Sequence, residues 1–266
     1  MICAMRNVWN NMLAQPHGKP RGSGSPMAMY DAALVKQEEI AEGTRAFYFE
    51  KPAGFAFKAG QFIELTLPGI SEPDAGGNTR PFTLASAPEE ELLMVATRMR
   101  QSAFKRALGA LPLGSKAKIE GPFGSFTLHN DAKKPAVFLM GGIGITPARS
   151  IAVHAARAKL PHRIFLFYSN RRPEDAAFLE EFFLLEKENP NFRFIPTMTD
   201  KEYGAHAGEG ERGYITAEMV KKYLSDIHAP IFYSAGPQAM VAAMREMLNR
   251  AGVDDDFIRA EEFSGY

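Results

Sequence analysis

The run Ala136-Val137-Phe138-Leu139-Met140 contains no polar residue and passes directly into Gly141-Gly142-Ile143-Gly144-Ile145-Thr146-Pro147. A strand that is apolar on both faces must be covered on both sides, which is the place of a central strand in a parallel sheet flanked by helices. Glycines in the following turn allow close backbone approach. Pro147 suits the first turn of a helix, where its missing N–H costs nothing. Beyond it the pattern alternates. The spacing predicts helices over 147–159, 174–188, 216–224 and 238–250, separated by strands over 164–168, 192–197 and 231–234, with a last strand over 257–261. Such alternation implies a parallel sheet joined by right-handed crossovers.

Residues before about 131 keep a different rhythm. Segments of β-rich composition over 34–37, 45–49, 61–67, 92–97 and 116–120 are separated by turns such as Pro52-Ala53-Gly54. Short strands at this spacing predict an antiparallel β-barrel. One helix interrupts it over 102–111, with Phe104, Ala107, Leu108 and Leu111 along one side. Residues 71–79 read as a polar loop. The chain therefore divides into a leader over 1–29, an antiparallel barrel domain over 30–130 and a Rossmann-like α/β parallel-sheet domain over 131–266. From Gln15 to Pro26 the leader has a disorder-type composition, and a natural start at Met27 or Met29 would leave it out of the fold.

With 31 basic and 31 acidic side chains, no global field draws this chain to nucleic acid or an anionic membrane. Its one cysteine, Cys3, excludes an internal disulfide framework, a four-cysteine iron–sulfur cluster and a cysteine-built zinc site, and fits a cytoplasmic setting. The six histidines form no ligand pair, so structural or surface places are expected for them and no metal site. No apolar run reaches the roughly 20 residues of a membrane-spanning helix.

Arg80-Pro81-Phe82-Thr83 follows the polar loop and opens a strand. A guanidinium there offers a planar fork for phosphate oxygens. Phe82, two residues on, faces the same way and its ring can pack on a flat ligand, while Thr83 adds a hydroxyl for a ring heteroatom. Such a tetrapeptide also arises by chance. Thr97-Arg98-Met99-Arg100-Gln101-Ser102 leads into the barrel helix, with Ser102 as cap and free amides from Ala103 onward for an anion. Arg98 or Arg100 would add charge. A solvated basic turn is the competing reading.

In the second half, Gly142, Gly144, Thr146 and Pro147 lie between strand and helix, where a pyrophosphate-binding turn belongs. Ser169-Asn170-Arg171-Arg172 stands at the C-terminal end of the next strand, beyond which open parallel sheets bind ligands. The hydroxyl and two arginines suit the adenosine end of a dinucleotide, and a 2′-phosphate would match the cations; a capped, solvent-facing turn explains the segment equally well. Gly236-Pro237 again joins a strand to a helix and leaves room for a ligand ring. Met240, Met244, Met247 and Leu248 have the spacing of core packing. The chain closes on Glu261-Glu262-Phe263-Ser264-Gly265-Tyr266, where an aromatic on a glycine hinge can stack on a flat ring. A frayed end is the alternative.

Taken in this order, the motifs resemble the ferredoxin–NADP reductase superfamily of flavin-dependent oxidoreductases, over about residues 30 to 266. The resemblance implies FAD in the barrel, with Arg80 on its pyrophosphate, Thr83 near the reactive N5 and Phe82 along the ring, where many relatives carry tyrosine. Gly121-Pro122-Phe123-Gly124 resembles the turn that closes the flavin barrel. NADPH or NADH would bind through the Gly142–Pro147 turn, and Tyr266 would cover the ring face awaiting nicotinamide. Ala235 stands where the family often has cysteine, so no thiol would assist hydride transfer. Glu261 or Glu262 would stabilise the nicotinamide or relay protons, and Thr83, Tyr266 and Glu262 form the expected catalytic set.

Electrons would then leave for a separate acceptor: a ferredoxin, a flavodoxin, a haem protein, an oxygenase component or a small molecule. Arg98, Arg100, Lys105 and Arg106 would dock an acidic carrier or hold the cofactor. Two alternatives stand beside this: a free flavin or ferric reductase, and a flavoprotein subunit active only within a complex. Arg171 and Arg172 favour NADPH, and a monomer is expected.

Overall fold

The computed structural model describes residues 28–70, 76–200 and 210–263. Its first half is a six-stranded antiparallel sheet, β1 (Met29–Ala41), β2 (Thr44–Glu50), β3 (Phe62–Thr66), β4 (Thr79–Thr83), β5 (Leu92–Arg98) and β6 (Lys116–Phe123), in the order β4-β3-β6-β1-β2-β5. β1 is far longer than its apolar core suggests. Residues 29–33 pair with β6, and the remainder, after a register shift near Leu34, pairs with β2. One strand thus serves both halves of a curved sheet. The Ala85 N–H donates to the carbonyl of Met94 (2.7 Å), which ties the end of β4 to β5 and brings the sheet edges together. The single helix, α1 (Ala103–Ala110), is capped by Ser102 Oγ, which accepts from the Lys105 N–H (3.2 Å); its buried residues, Phe104 and Leu108, plug the barrel beside Phe82, Leu93 and Ile119.

The second half is a parallel sheet: β7 (Ala136–Gly141), β8 (Ile164–Asn170), β9 (Phe192–Met198), β10 (Glu211–Arg212), β11 (Ile231–Pro237) and β12 (Ile258–Phe263), in the order β10-β9-β8-β7-β11-β12. All six residues of β7 are buried. Their alternation feeds two cores. Phe138 and Met140 pack under α2 (Thr146–Arg157) and α3 (Leu179–Glu188), while Val137 and Leu139 pack under α4 (Ala217–Lys221) and α5 (Gln238–Arg250). The strand order reverses between β7 and β11, and ligand crevices in open sheets form at that point.

One element departs from the sequence pattern. The helix expected from Glu174 starts at Leu179, after a 3₁₀ turn over Pro173–Asp175 and a left-handed Phe178 (φ 63°). Tertiary contacts take the intervening residues: the Glu42 N–H donates to the Glu174 carbonyl (2.8 Å), and Arg98 and Arg172 both donate to the Asp175 carboxylate (3.1 and 3.2 Å). The two halves meet through this segment and through an apolar cluster in which Ile143 and Phe178 pack on Ala46, Ala85, Met94 and Ala96. His129 and His162 are buried where the chain passes between the sheets; His129 is held by the Tyr233 hydroxyl (3.0 Å) and the Lys134 carbonyl (2.9 Å). Burial lowers the His129 pKa, with His162 and Arg259 opposing its charge and backbone carbonyls favouring it. No group of side chains suited to a metal ion occurs among the described residues. No helix among them is long and apolar enough to cross a membrane.

Candidate active site

A cleft of about 300 Å³ opens on the barrel side of the seam, lined from β4 by Arg80, Pro81, Phe82 and Thr83 and from β5 by Thr97 and Arg98. Ser102 joins them from the α1 cap and Thr146 from the start of α2. Four cations, Arg80, Arg98, Arg100 and Lys105, face it, and no described carboxylate does. Its apolar lining comes from Phe82, Phe104, Ile143 and Phe263. The Arg80 guanidinium lies over the Phe104 ring, 5.3 Å from its centroid, and donates to the carbonyls of Gly76, Gly77 and Thr79. Burial lowers the Lys105 pKa, with the neighbouring Arg100 charge adding to it. Positive charge beside a flat apolar lining matches a diphosphate carrying a planar ring system.

A second cleft of about 620 Å³ lies beyond the C-terminal ends of β7, β8 and β11, lined by Gly142, Ser169, Asn170, Arg171 and Pro237. Asn170 Nδ2 is buried there with no partner among the described residues, a donor left for a ligand. Met240, Met244 and Met247 of α5 form one wall and Tyr214, 78% exposed, part of the rim. The methionine stripe packs on the core, as its spacing suggests, and its outer edge also borders the crevice. Gly142 has φ 50°, in the left-handed region that glycine adopts without strain. Gly144 lies beneath the turn: a Cβ there would come within 2.4 Å of the Ala235 carbonyl oxygen, so the turn sits directly on β11.

Arg98 lines both clefts, and its partner Asp175 lines the second. Burial works against the Asp175 carboxylate, but Arg172 and Arg98 outweigh it and hold its pKa below the ordinary value. The two clefts therefore share a wall.

Several expected residues sit elsewhere. Arg172 pairs with Asp175 and with Glu42 across the seam (2.6 Å) instead of facing the crevice. Met99 packs against the barrel core, Ala103 and Pro147 lie within their helices, and Gly236 is buried against Gly141. Arg106 donates to the Gln101 carbonyl (2.9 Å) on the outer side of α1. Tyr266 lies outside the described residues.

Glu262 is exposed, whereas Glu261 shares its side of β12 with Phe263 and keeps Oε2 buried and without a partner among the described residues. Burial raises the Glu261 pKa above 4.5. A carboxyl with a raised folded-state pKa binds more protons folded than unfolded, so its contribution to stability is lost as pH rises from about the unfolded value through the folded one. Glu261→Gln is accordingly expected to raise the melting temperature at pH 8 and leave it unchanged at pH 4. Melts at both pH values check this.

Phe104, Phe263 and Tyr214 went unremarked as site residues in the sequence because each reads as ordinary helix, strand or loop composition. Only the fold turns them toward a cleft.

Residues 138–246 match the family model for the oxidoreductase NAD-binding domain. The F subunit of the Na(+)-translocating NADH-quinone reductase of Methylococcus capsulatus is 31% identical over 280 residues, covering 89% of this chain and 68% of that protein. Its counterpart in Pseudoalteromonas atlantica is 33% identical over 202 residues, 70% of this chain, and the chain spans about half of it (49%). Ferredoxin–NADP reductase B of Sorangium cellulosum is 28% identical over 88% of this chain and 97% of its own. Among solved structures, the Amycolatopsis cytochrome P450 reductase GcoB superposes with a TM-score of 0.75 at 27% identity, over 90% of this chain and 71% of that one. A curved antiparallel sheet joined to a doubly covered parallel sheet, with a cleft on each side of the seam, defines a two-domain nucleotide-dependent reductase. The chain belongs to the ferredoxin–NADP reductase superfamily of flavoprotein oxidoreductases.

Proposed function

We propose that this protein takes hydride from NADPH onto FAD and passes the electrons to a separate acceptor. The observation that carries this reading is the shared wall: Arg98 belongs to both clefts, so two nucleotides seated in them meet at the seam. Bound FAD would supply the chemistry that turns a two-electron hydride into electrons delivered singly or in pairs. The chain's own residues supply binding and alignment. Arg80 and the α1 amides hold the flavin diphosphate, and Thr83 orients the ring from the end of β4. The Gly142–Thr146 turn holds the second pyrophosphate, Asn170 Nδ2 offers a donor, and Tyr214 with the methionine wall takes the adenine. Pro237, at the end of β11, would border the nicotinamide. Glu261, whose Oε2 is buried with no partner among the described residues, would lie beside it.

Arg171 carries the preference for NADPH. It is exposed, lines the second cleft and makes no ion pair with a described residue, whereas Arg172 is occupied by Glu42 and Asp175. Arg171→Ala is expected to raise KM for NADPH roughly 10- to 100-fold, the worth of a charge-assisted phosphate contact, with KM for NADH unchanged. Arg172→Ala should leave both KM values in place and loosen the seam. Steady-state kinetics with the two nucleotides test the pair.

The acceptor is a soluble carrier or an oxygenase component reached by a monomer in the cytoplasm. Anaerobic reduction of FAD-loaded protein by each nucleotide, followed by a screen of ferredoxins, flavodoxins and free flavin, tests this; a protein that takes up no flavin would refute it. A second reading, a reductase module working only inside a complex, is favoured by the NADH-quinone reductase relatives, of which the chain matches about half to two-thirds. Copurification of a partner, with no turnover alone, would select it.

A further inference from the structure

We propose that Arg149 is a positioning residue for this reaction: it fastens the barrel strand end that carries Thr83 to the helix that carries the pyrophosphate turn, and so sets the gap across which hydride passes. The proposal rests on the functional reading above and extends it to a residue that touches neither nucleotide.

Arg149 stands on the first turn of α2, two residues beyond Pro147, and is only 6% exposed. All five of its N–H groups have acceptors. Nε donates to Glu181 Oε2 (2.7 Å), and Nη2 to Glu181 Oε1 (2.6 Å) and Glu90 Oε1 (3.2 Å). Nη1 donates to Glu90 Oε2 (2.9 Å) and to the Ala85 carbonyl (2.7 Å). The guanidinium also lies over the ring of Phe178, 5.1 Å from its centroid, at the residue whose left-handed backbone begins α3.

Ala85 is two residues past Thr83. The next carbonyl, that of Ser86, accepts from the fully buried Ser150 Oγ (2.6 Å), and Ser150 Oγ accepts from the Gly60 N–H (3.3 Å). Two adjacent residues of α2 therefore grip two adjacent carbonyls of the barrel. Neither Arg149 nor Ser150 lines either of these two clefts.

A buried ion pair adds little net stability once desolvation is counted. A planar fork engaged by two carboxylates and a carbonyl, however, accepts only one orientation, and a lysine ammonium cannot reproduce it. Because α2 follows the Gly142–Ile145 turn without a break, a tilt of α2 against β4 moves that turn relative to Thr83. A displacement of about 1 Å at a reacting pair costs on the order of 100-fold in rate.

The test compares FAD-loaded wild type, Arg149→Lys and Ser150→Ala by stopped-flow reduction with saturating NADPH, together with FAD affinity and amide hydrogen exchange. In Arg149→Lys the limiting rate constant for flavin reduction should fall at least tenfold, while FAD and NADPH affinities change less than threefold. Exchange of amides 84–91 should quicken at least tenfold with β8 unchanged. Reoxidation of the chemically reduced variant by ferricyanide should keep the wild-type rate. Ser150→Ala should show the same pattern at about threefold, which keeps the comparison available if the lysine variant folds poorly. A limiting rate within twofold of wild type, with only a lower melting temperature, would overturn the proposal and leave Arg149 a stabilising contact. A rate loss traced wholly to lost FAD would overturn it too. Failure of the functional reading looks different: wild type itself is not reduced by either nucleotide.

Discussion

Arg80→Ala is expected to yield a colourless protein whose affinity for FAD is lower by roughly 30- to 150-fold. The guanidinium is held at the rim of the barrel cleft by the Gly77 and Thr79 carbonyls and by the Phe104 ring, so it is already placed for a diphosphate. A charge-assisted hydrogen bond to a phosphate is worth about 2–3 kcal/mol, which converts to that loss. The residue sits at the cleft edge and not in the core, so the melting temperature of the flavin-free protein should move little. Lysine should recover only part of the affinity, because an ammonium lacks the fork. Isothermal titration with FAD, beside melts of the apoprotein, checks both statements; unchanged FAD affinity in Arg80→Ala would place the flavin somewhere other than this cleft.

The second large effect is expected from Gly144→Ala. One added methyl would meet the Ala235 carbonyl oxygen at 2.4 Å and the Gly236 nitrogen at 2.6 Å, both backbone atoms that cannot swing aside. Overpacking of this kind costs about 3 kcal/mol, which for a chain of this size lowers Tm by roughly 6–12 °C. The turn must lift off β11, and the pyrophosphate site proposed for it lifts with it. Reduction by NADPH should then slow on the order of 100-fold. The cleft proposed for FAD is lined mainly from β4, β5 and α1, so its affinity should stay within a fewfold of wild type. Calorimetry and anaerobic stopped-flow on the same preparation separate the two losses. Full reduction rates in a protein that melts normally would mean that the turn can relax without moving the nucleotide.

Much of the architecture was readable because it rests on periodicity. The two-sided apolar run at Ala136–Met140 has no stable place except a covered parallel strand, and period-two segments such as Phe62–Thr66 have none except a half-buried sheet. Local chemistry was readable where it depends on a few consecutive residues: the Ser102 cap, the glycine turn at Gly142, and the arginine entering β4. The helix expected from Glu174 failed for an equally physical reason. Local propensity favoured continuing it, and the contacts of Glu174 and Asp175 with the barrel won.

The composition and order of residues by themselves determined two sheets of different kind, a phosphate-suited turn after the first parallel strand, and an arginine–aromatic–hydroxyl strand in the barrel. Tertiary structure alone decided which of two neighbouring groups does what. It ties Arg172 into the seam and leaves Arg171 facing the crevice; it buries Glu261 Oε2 and exposes Glu262; it gives the core-packed methionine stripe a second edge along the crevice. Spacing along a chain says which residues share a face. What that face meets depends on the packing of the other domain against it, and that packing has no local signature.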